Sequence, residues 1–306
     1  MRAALRALKP ARVDRRVAPY VLISPFLIIY AVFGLFPVCF TAWVSLHRWQ
    51  LIDGEQAFVG LDNFGRMFED PKFYNALLNT VSIFLLSTVP QLLLALGLAA
   101  LLNQALRAST FWRAIVLLPN VVSVAAVGLI FGQLFSRDYG VVNFLLGRIG
   151  LPPVNWQRER WSSHLAISVM VTWRWVGYNS LLYLAAMQSV PSELYESAAL
   201  DGASRWRAFW SVTVPGIRPT IAFTVVASSI MGMQLIAEPQ LFDASGTGGT
   251  GGSGRQFQTV SMYLYERGFG LFDAGYAAAI TWVLFLLCAL VSVLSISLLR
   301  RIVARG

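Results

Sequence analysis

Charge is scarce in this chain. Asp, Glu, Lys and Arg together make up 13% of its 306 residues, where soluble chains carry about a quarter. That excludes a water-soluble globule, because too few polar side chains remain to coat the surface such a length would fold into. Cysteine is nearly absent, with only Cys39 and Cys288, both in apolar stretches, which argues against a disulfide framework and a thiolate metal cluster. Histidine is limited to His47 and His164, and neither HExxH nor CxxC occurs, so zinc and haem sites are not expected. The only lysines are Lys9 and Lys72, and neither follows a glycine. A phosphate-cradling P-loop, which needs GxxxxGK followed by Ser or Thr, is therefore missing.

Apolar residues are what the chain has in excess: 57% of it is hydrophobic and the mean hydropathy is +0.62. Crossing about 30 Å of hydrocarbon takes roughly 20 residues of helix. Six stretches are long enough, at Pro19–Leu46, Ala76–Leu102, Trp112–Phe135, His164–Gln188, Ile217–Pro239 and Ala274–Leu299. The first outruns the roughly 7 to 15 apolar residues of a secretory leader and no A-x-A-like site follows, so it is expected to stay attached. The expected fold class is an all-α integral membrane protein with six transmembrane helices.

Alternate connections differ in charge. One side of the membrane collects 14 Lys and Arg and nets +10, the other collects 9 and nets −1. The richer side is expected to be cytoplasmic, which places both termini there: a basic tail over 1–18 (Arg2, Arg6, Lys9, Arg12, Arg15, Arg16) and a basic end over 300–306, flanking a membrane domain over 19–299. No later segment interleaves basic with aromatic residues, so the tail is a topology signal and no nucleic-acid partner is expected. Gly128 with Gly132, and Ser228 with Gly232, are small-xxx-small pairs suited to helix packing in lipid. The glycine-rich tract Gly246–Gly254 is expected to be a flexible outer loop.

The segment 189–218 falls on the cytoplasmic side. Pro191 stops the preceding span, Ser192 can cap a short helix with Glu193 in its first turn, and Leu194, Tyr195, Ala198 and Ala199 share a face. Gly202 suits the left-handed residue at a helix end. Ser204 can cap a second helix carrying the stripe Trp206, Phe209, Trp210 and Thr213 until Pro215 ends it. Glu196 and Asp201 offer charge to a partner's arginine. Spacing alone leaves two alternatives open, docking into a partner's groove or lying on the membrane surface.

This segment resembles the cytoplasmic loop of permease subunits of bacterial binding-protein-dependent ABC importers. That loop reads EAA, three residues, G, nine residues, then I-x-L-P. Here Glu196, Ser197, Ala198, Gly202, Val212, Val214 and Pro215 stand at the same spacing, with serine and two valines as substitutions. FVGLDNF (Phe58–Phe64), the pair Asn79 and Thr80, QLFDASGTGG (Gln240–Gly249) and GFGLFDAGYAAAI (Gly268–Ile280) are similar to segments of the maltose-type carbohydrate-uptake branch. The resemblance implies a type I ABC importer permease fold in a bacterial cytoplasmic membrane. It implies pairing with a second permease, two ATPase subunits that hold ATP and Mg²⁺, and an extracytoplasmic sugar-binding protein. This chain itself would bind no cofactor and would not be an enzyme. Glu196, Ser197, Ala198, Ala199, Asp201 and Gly202 would couple ATPase closure to the spans, and the outer loop 240–273 would approach the sugar-binding protein.

Sugars need polar partners for hydroxyls and aromatic faces for their C–H surfaces. Span four carries Trp173, Arg174, Trp175, Tyr178 and Asn179 near its middle, and span five carries Ser228, Ser229, Gly232 and Gln234. A substrate pathway between them is expected. Arg174 is costly by about 2.5–3.5 kcal/mol if it meets lipid, so it should face protein or water, paired with Glu238 or with the second permease. A self-sufficient secondary transporter or channel is the alternative function, for which Arg174 and Glu238 are a meagre ion-coupling set.

Overall fold

The computed structural model of the chain describes residues 18–104, 107–242 and 250–304. Nearly all of the expected basic tail, residues 246–249 of the glycine tract and the last two residues lie outside that range.

Backbone polar groups in hydrocarbon must be satisfied within their own segment, so the apolar stretches fold as helices. Helix α1 (Ala18–Tyr30) passes through a π-helical turn, Ala31–Leu35, into α2 (Phe36–Ser45). The wider turn falls directly before Pro37, which lacks the amide that an α-helical bond there would use. A small antiparallel hairpin follows, β1 (His47–Gln50) with β2 (Gly54–Phe58), pairing His47 with Phe58 and bulged between Arg48 and Trp49. Helix α3 (Asp62–Phe68) closes against it, where Asn63 Nδ2 donates to the Ser45 and His47 carbonyls at 2.9 and 3.0 Å. Gly275 makes this junction possible, because a Cβ there would lie 2.3 Å from the His47 carbonyl oxygen.

Helix α4 (Pro71–Leu102) begins five residues before the expected boundary at Ala76. Asp70 caps it by accepting the Lys72 amide at 2.9 Å, with Pro71 at the first helical position. The third expected span is broken: α5 (Ser109–Val121) and α6 (Val124–Leu134) meet at 88°. Val122 is extended and Ser123 recaps α6 by accepting the Ala126 amide at 3.2 Å. Helix α7 (Val141–Arg148) follows, and α8 (Arg160–Gln188) covers the fourth expected stretch as one helix.

The hairpin expected on the cytoplasmic side is α9 (Ser192–Leu200), then α10 (Arg205–Ala208), a π-helical turn over Phe209–Thr213, and α11 (Val214–Gly216). Pro215 does not end the second arm, since the π turn absorbs its missing amide and the helix runs to Gly216. The fifth expected span is also shorter than Ile217–Pro239. Helix α12 (Arg218–Met233) meets the arm before it at 69°, and the chain turns at Gln234 before α13 (Ala237–Phe242). Helices α14 (Val260–Tyr265) and α15 (Ala274–Ala304) complete the chain.

Among the described residues, Pro19–Ser45, Pro71–Leu102 and Ala274–Ser297 are long and apolar enough to cross a membrane, and the bent pairs Ser109–Val121 with Val124–Leu134 and Arg205–Gly216 with Arg218–Met233 pass that test only when each pair is taken together. At 29 residues α8 is also long enough, about 43 Å at 1.5 Å per residue, but polar side chains interrupt it. Helices α4 and α8 form the central pair. Gly177 lets α5 cross α8 tightly, since a Cβ would fall 1.7 Å from the Val116 carbonyl oxygen. Gly128 receives Leu241 of α13, and Gly232 receives Phe84 and Thr88 of α4. These contacts make the expected small-residue pairs packing sites within the chain.

The outer end is tied by hydrogen bonds. Asn79 Nδ2 donates to the Arg255 and Gln258 carbonyls at 3.0 and 3.1 Å, and Thr80 Oγ1 accepts the Val260 amide at 2.8 Å. His164 bridges Ser82 at 2.8 Å and the Gln256 carbonyl at 2.9 Å. The described part of the glycine tract is packed into this lattice rather than loose. Gly251 and Gly252 are buried with φ of +78° and +86°, and a Cβ on Gly251 would lie 2.3 Å from the Gln258 nitrogen.

Candidate functional site

Two helix breaks create a cavity. Where α12 stops at Met233 and the chain reverses into α13, a space of about 650 Å³ opens between α4, α5, α8, α12 and α13. Of the residues expected on the pathway, Trp175, Tyr178, Asn179, Ser228, Gly232 and Gln234 line it. Trp175 and Tyr178 sit one turn apart on α8 with ring centroids 6.0 Å apart, edge to face. Tyr178 is 42% exposed, so its ring is presented rather than packed. Asn179 Nδ2 donates to Ser228 Oγ at 3.3 Å, linking the two helices that carry the site.

Ser229 and Arg174 are not in the lining. Ser229 turns away and donates to the Val225 carbonyl at 2.7 Å, as serines in membrane helices commonly do. Arg174 lies behind the wall and pairs with Glu238 at 2.6 Å, with side chains 18% and 6% exposed. Read from sequence, Glu238 sits toward the outer end of span five, a depth mismatch that weakens this pairing and leaves a partner on the second permease equally open. The turn at Gln234 removes the mismatch by folding α13 back toward α8, and Glu238 joins the lining. The guanidinium also stands 5.5 Å from the Trp175 ring centroid, while its Nε has no hydrogen-bond partner.

Four polar residues of the lining were missed by the sequence reading: Thr88 and Gln91 on α4, Asn120 on α5 and Thr224 on α12. Gln91 is only 4% exposed and lines the cavity, where its amide can serve a ligand or water. Mid-span polarity, the signal used for span four, also marks Thr88 and Gln91 one turn apart in span two. Below the cavity, Tyr183 and Thr224 hydroxyls meet at 2.7 Å and join α8 to α12.

The second expected site is the cytoplasmic hairpin. Gly202 adopts φ +75°, its amide reaches the Ala199 carbonyl at 3.0 Å and the Ala203 amide reaches Ala198 at 2.9 Å, a paired closure of the helix end. Ser204 caps the second arm by accepting the Arg207 amide at 3.3 Å. Ser192 does not cap α9, because Pro191 occupies that position without a side-chain bond and Ser192 is the first helical residue. Tyr195 and Thr213 hydroxyls, 3.0 Å apart, pin the arms together. Glu196, Ser197, Ala199, Asp201 and Gly202 are exposed, with Ala198 half-buried. Leu200 is 90% exposed and Trp206 70%, so the hairpin's apolar side chains are uncovered.

Among the described residues, no group of His, Cys, Asp and Glu could hold a metal ion. Charged groups concentrate instead at the outer end. Asp70 accepts from Tyr263, from Tyr276 at 2.7 Å and from Arg267 at 3.5 Å. Burial works to raise its carboxyl, but those tyrosines, the Lys72 amide and Arg267 outweigh it and hold the carboxyl below its ordinary range. Glu266 is held low chiefly by Arg255, which grips it at 2.6 and 2.7 Å, with Gln258 assisting at 2.7 Å.

Comparison with known proteins identifies relatives of this arrangement. Residues 64–305 match the family model described as binding-protein-dependent transport system inner membrane component. The arabinooligosaccharides transport system permease protein AraP of Halalkalibacterium halodurans is 36% identical over 92% of this chain and 87% of that protein. The lactose transport system permease protein LacF of Rhizobium radiobacter is 36% identical over 90% and 91%. Among solved structures, a chain of a bacterial alginate ABC transporter in complex with an alginate pentasaccharide-bound periplasmic protein superposes with a TM-score of 0.78 at 25% identity. That match covers 95% of this chain and 96% of the other.

Proposed function

The chain belongs to the family of binding-protein-dependent transport system inner membrane components, and from that premise we propose how it carries its cargo. It is a permease subunit of a carbohydrate-uptake ABC transporter. We infer six crossings: α1 with α2, α4, the bent pair α5 and α6, α8, α12, and α15. The polarity that sets α8 apart from the apolar spans is the polarity of a pathway wall. With six crossings and the cytoplasmic excess of arginine, both termini lie inside.

The cargo is a di- or oligosaccharide, as the names of the relatives suggest. Tyr178 and Trp175 present faces to the C–H surface of a sugar ring, while Asn179, Ser228, Gln91 and Gln234 meet its hydroxyls. The observation that carries this reading is the cavity itself, whose wall mixes exposed aromatic faces with neutral amides and hydroxyls at membrane depth. ATP and Mg²⁺ belong to a separate ATPase. The exposed hairpin Glu196–Gly202 is its docking element, and α8 and α12 rise directly from the two ends of that hairpin. A second permease supplies the other wall, and an extracytoplasmic sugar-binding protein delivers the cargo.

The test is uptake in proteoliposomes that hold the complete complex, using a panel of labelled lactose, trehalose and arabinotriose. Wild type is expected to take up at least one sugar only when ATP is supplied, and Tyr178→Ala to reduce that uptake with the complex still assembled. ATP-independent uptake by this chain alone would favour the secondary-transporter alternative.

A further inference from the structure

The cavity has one feature that a plain sugar pathway does not require. Its polar lining is neutral at Thr88, Gln91, Asn120, Asn179, Ser228 and Gln234, and its single charged lining residue is Glu238. Arg174, the cation that balances it, stands behind the wall. The pair therefore turns its acidic member toward the cargo. Arg174 engages Oε1, and among the described residues Arg174 is the only partner of this carboxylate. The remaining acceptor capacity suits sugar hydroxyls, which donate to it.

We propose that the Arg174–Glu238 pair selects the cargo by charge, admitting neutral saccharides and rejecting saccharides that carry carboxylates. This rests on the reading of the cavity as a sugar pathway. A uronic-acid group entering the cavity meets a like charge away from bulk water, where repulsion is poorly screened. It can reach Arg174 only by displacing Glu238, which would leave a buried carboxylate unpaired. The alginate transporter, whose chain shares this fold, handles an acidic polysaccharide, so the fold itself does not impose the restriction. The selection lies in these two side chains.

The test is calorimetric binding to the purified complex of this chain with its second permease and ATPases, without the external sugar-binding protein, whose own selectivity is thereby removed. Probes are the neutral sugar panel, galactobiose, and digalacturonic acid as the acidic counterpart of galactobiose. Wild type is expected to prefer galactobiose over digalacturonic acid by at least about tenfold. Glu238→Gln alone leaves Arg174 buried and unpaired, so the double variant Arg174→Gln with Glu238→Gln is measured beside it. The double variant is expected to bring the two probes to within about threefold, because both members of the pair are neutralised together. Equal binding of both probes by wild type, or undiminished preference in the double variant, would overturn the proposal alone. Silence toward every sugar would overturn the pathway reading and this inference with it.

Discussion

Tyr178, Asn179 and Gln91 each make a separable contribution to the cavity. Gln91→Ala is expected to weaken sugar binding about threefold to tenfold, the scale of one neutral hydrogen bond, with ATP hydrolysis unchanged. Titration of sugar against uptake rate checks this as a rise in KM. Arg174→Ala acts differently, because it strands Glu238 at 6% exposure. It should destabilise the chain by about 3–5 kcal/mol, visible as a lowered Tm in detergent, while the doubly neutral variant regains most of that loss. Trp175, Tyr178 and Asn179 were legible in the sequence because aromatic and amide groups crowd beside an arginine in mid-span. Thr88 and Gln91 were harder to read: span two also carries Asn79, Thr80, Ser82 and Ser87, so they do not stand apart from hydroxyls that bond their own backbone, as Ser87 and Ser229 do.

Helices broken mid-course are what turn a bundle into a pathway. A continuous fifth span would carry Glu238 outward, whereas the turn at Gln234 folds it back to Arg174 and opens the cavity. The apolar stretches read from the sequence fall on helices, but apolar length is blind to the breaks before Ser123 and at Gln234. The hairpin was legible down to its glycine because Gly202 and Ser204 are local signals acting on their own backbone. The π turn over Phe209–Thr213 was not, because it trades one helical bond for another without a change of composition. Gly177→Val should prevent α5 from crossing α8, given the 1.7 Å approach to Val116, and abolish assembly measured by size-exclusion of the complex. Gly202→Val, at φ +75°, strains the hairpin by about 1–2 kcal/mol or more. Uptake is expected to fall while ATP hydrolysis continues.

Across the whole molecule, the outer end is held by charge and the inner end is left open. Asp70 and Glu266 both titrate below their ordinary values in the fold. The stability they contribute is complete above the unfolded carboxylate range and is lost as pH falls through their lower folded values. The Tm should therefore hold near neutrality and drop below about pH 4, and Glu266→Gln should flatten part of that slope. The Asp70 ties join residues about two hundred positions apart, which no local pattern in the chain reveals. The hairpin, by contrast, exposes Leu200 and Trp206 with nothing among the described residues to cover them.

On the proposed reading, cargo meets the chain at the cavity and force enters at the hairpin. Placing a photoactivatable crosslinker at position 196 in intact cells tests it most directly. The account predicts an adduct with a nucleotide-hydrolysing subunit on the cytoplasmic side. An adduct with an extracytoplasmic protein, or none with any ATPase, would contradict it.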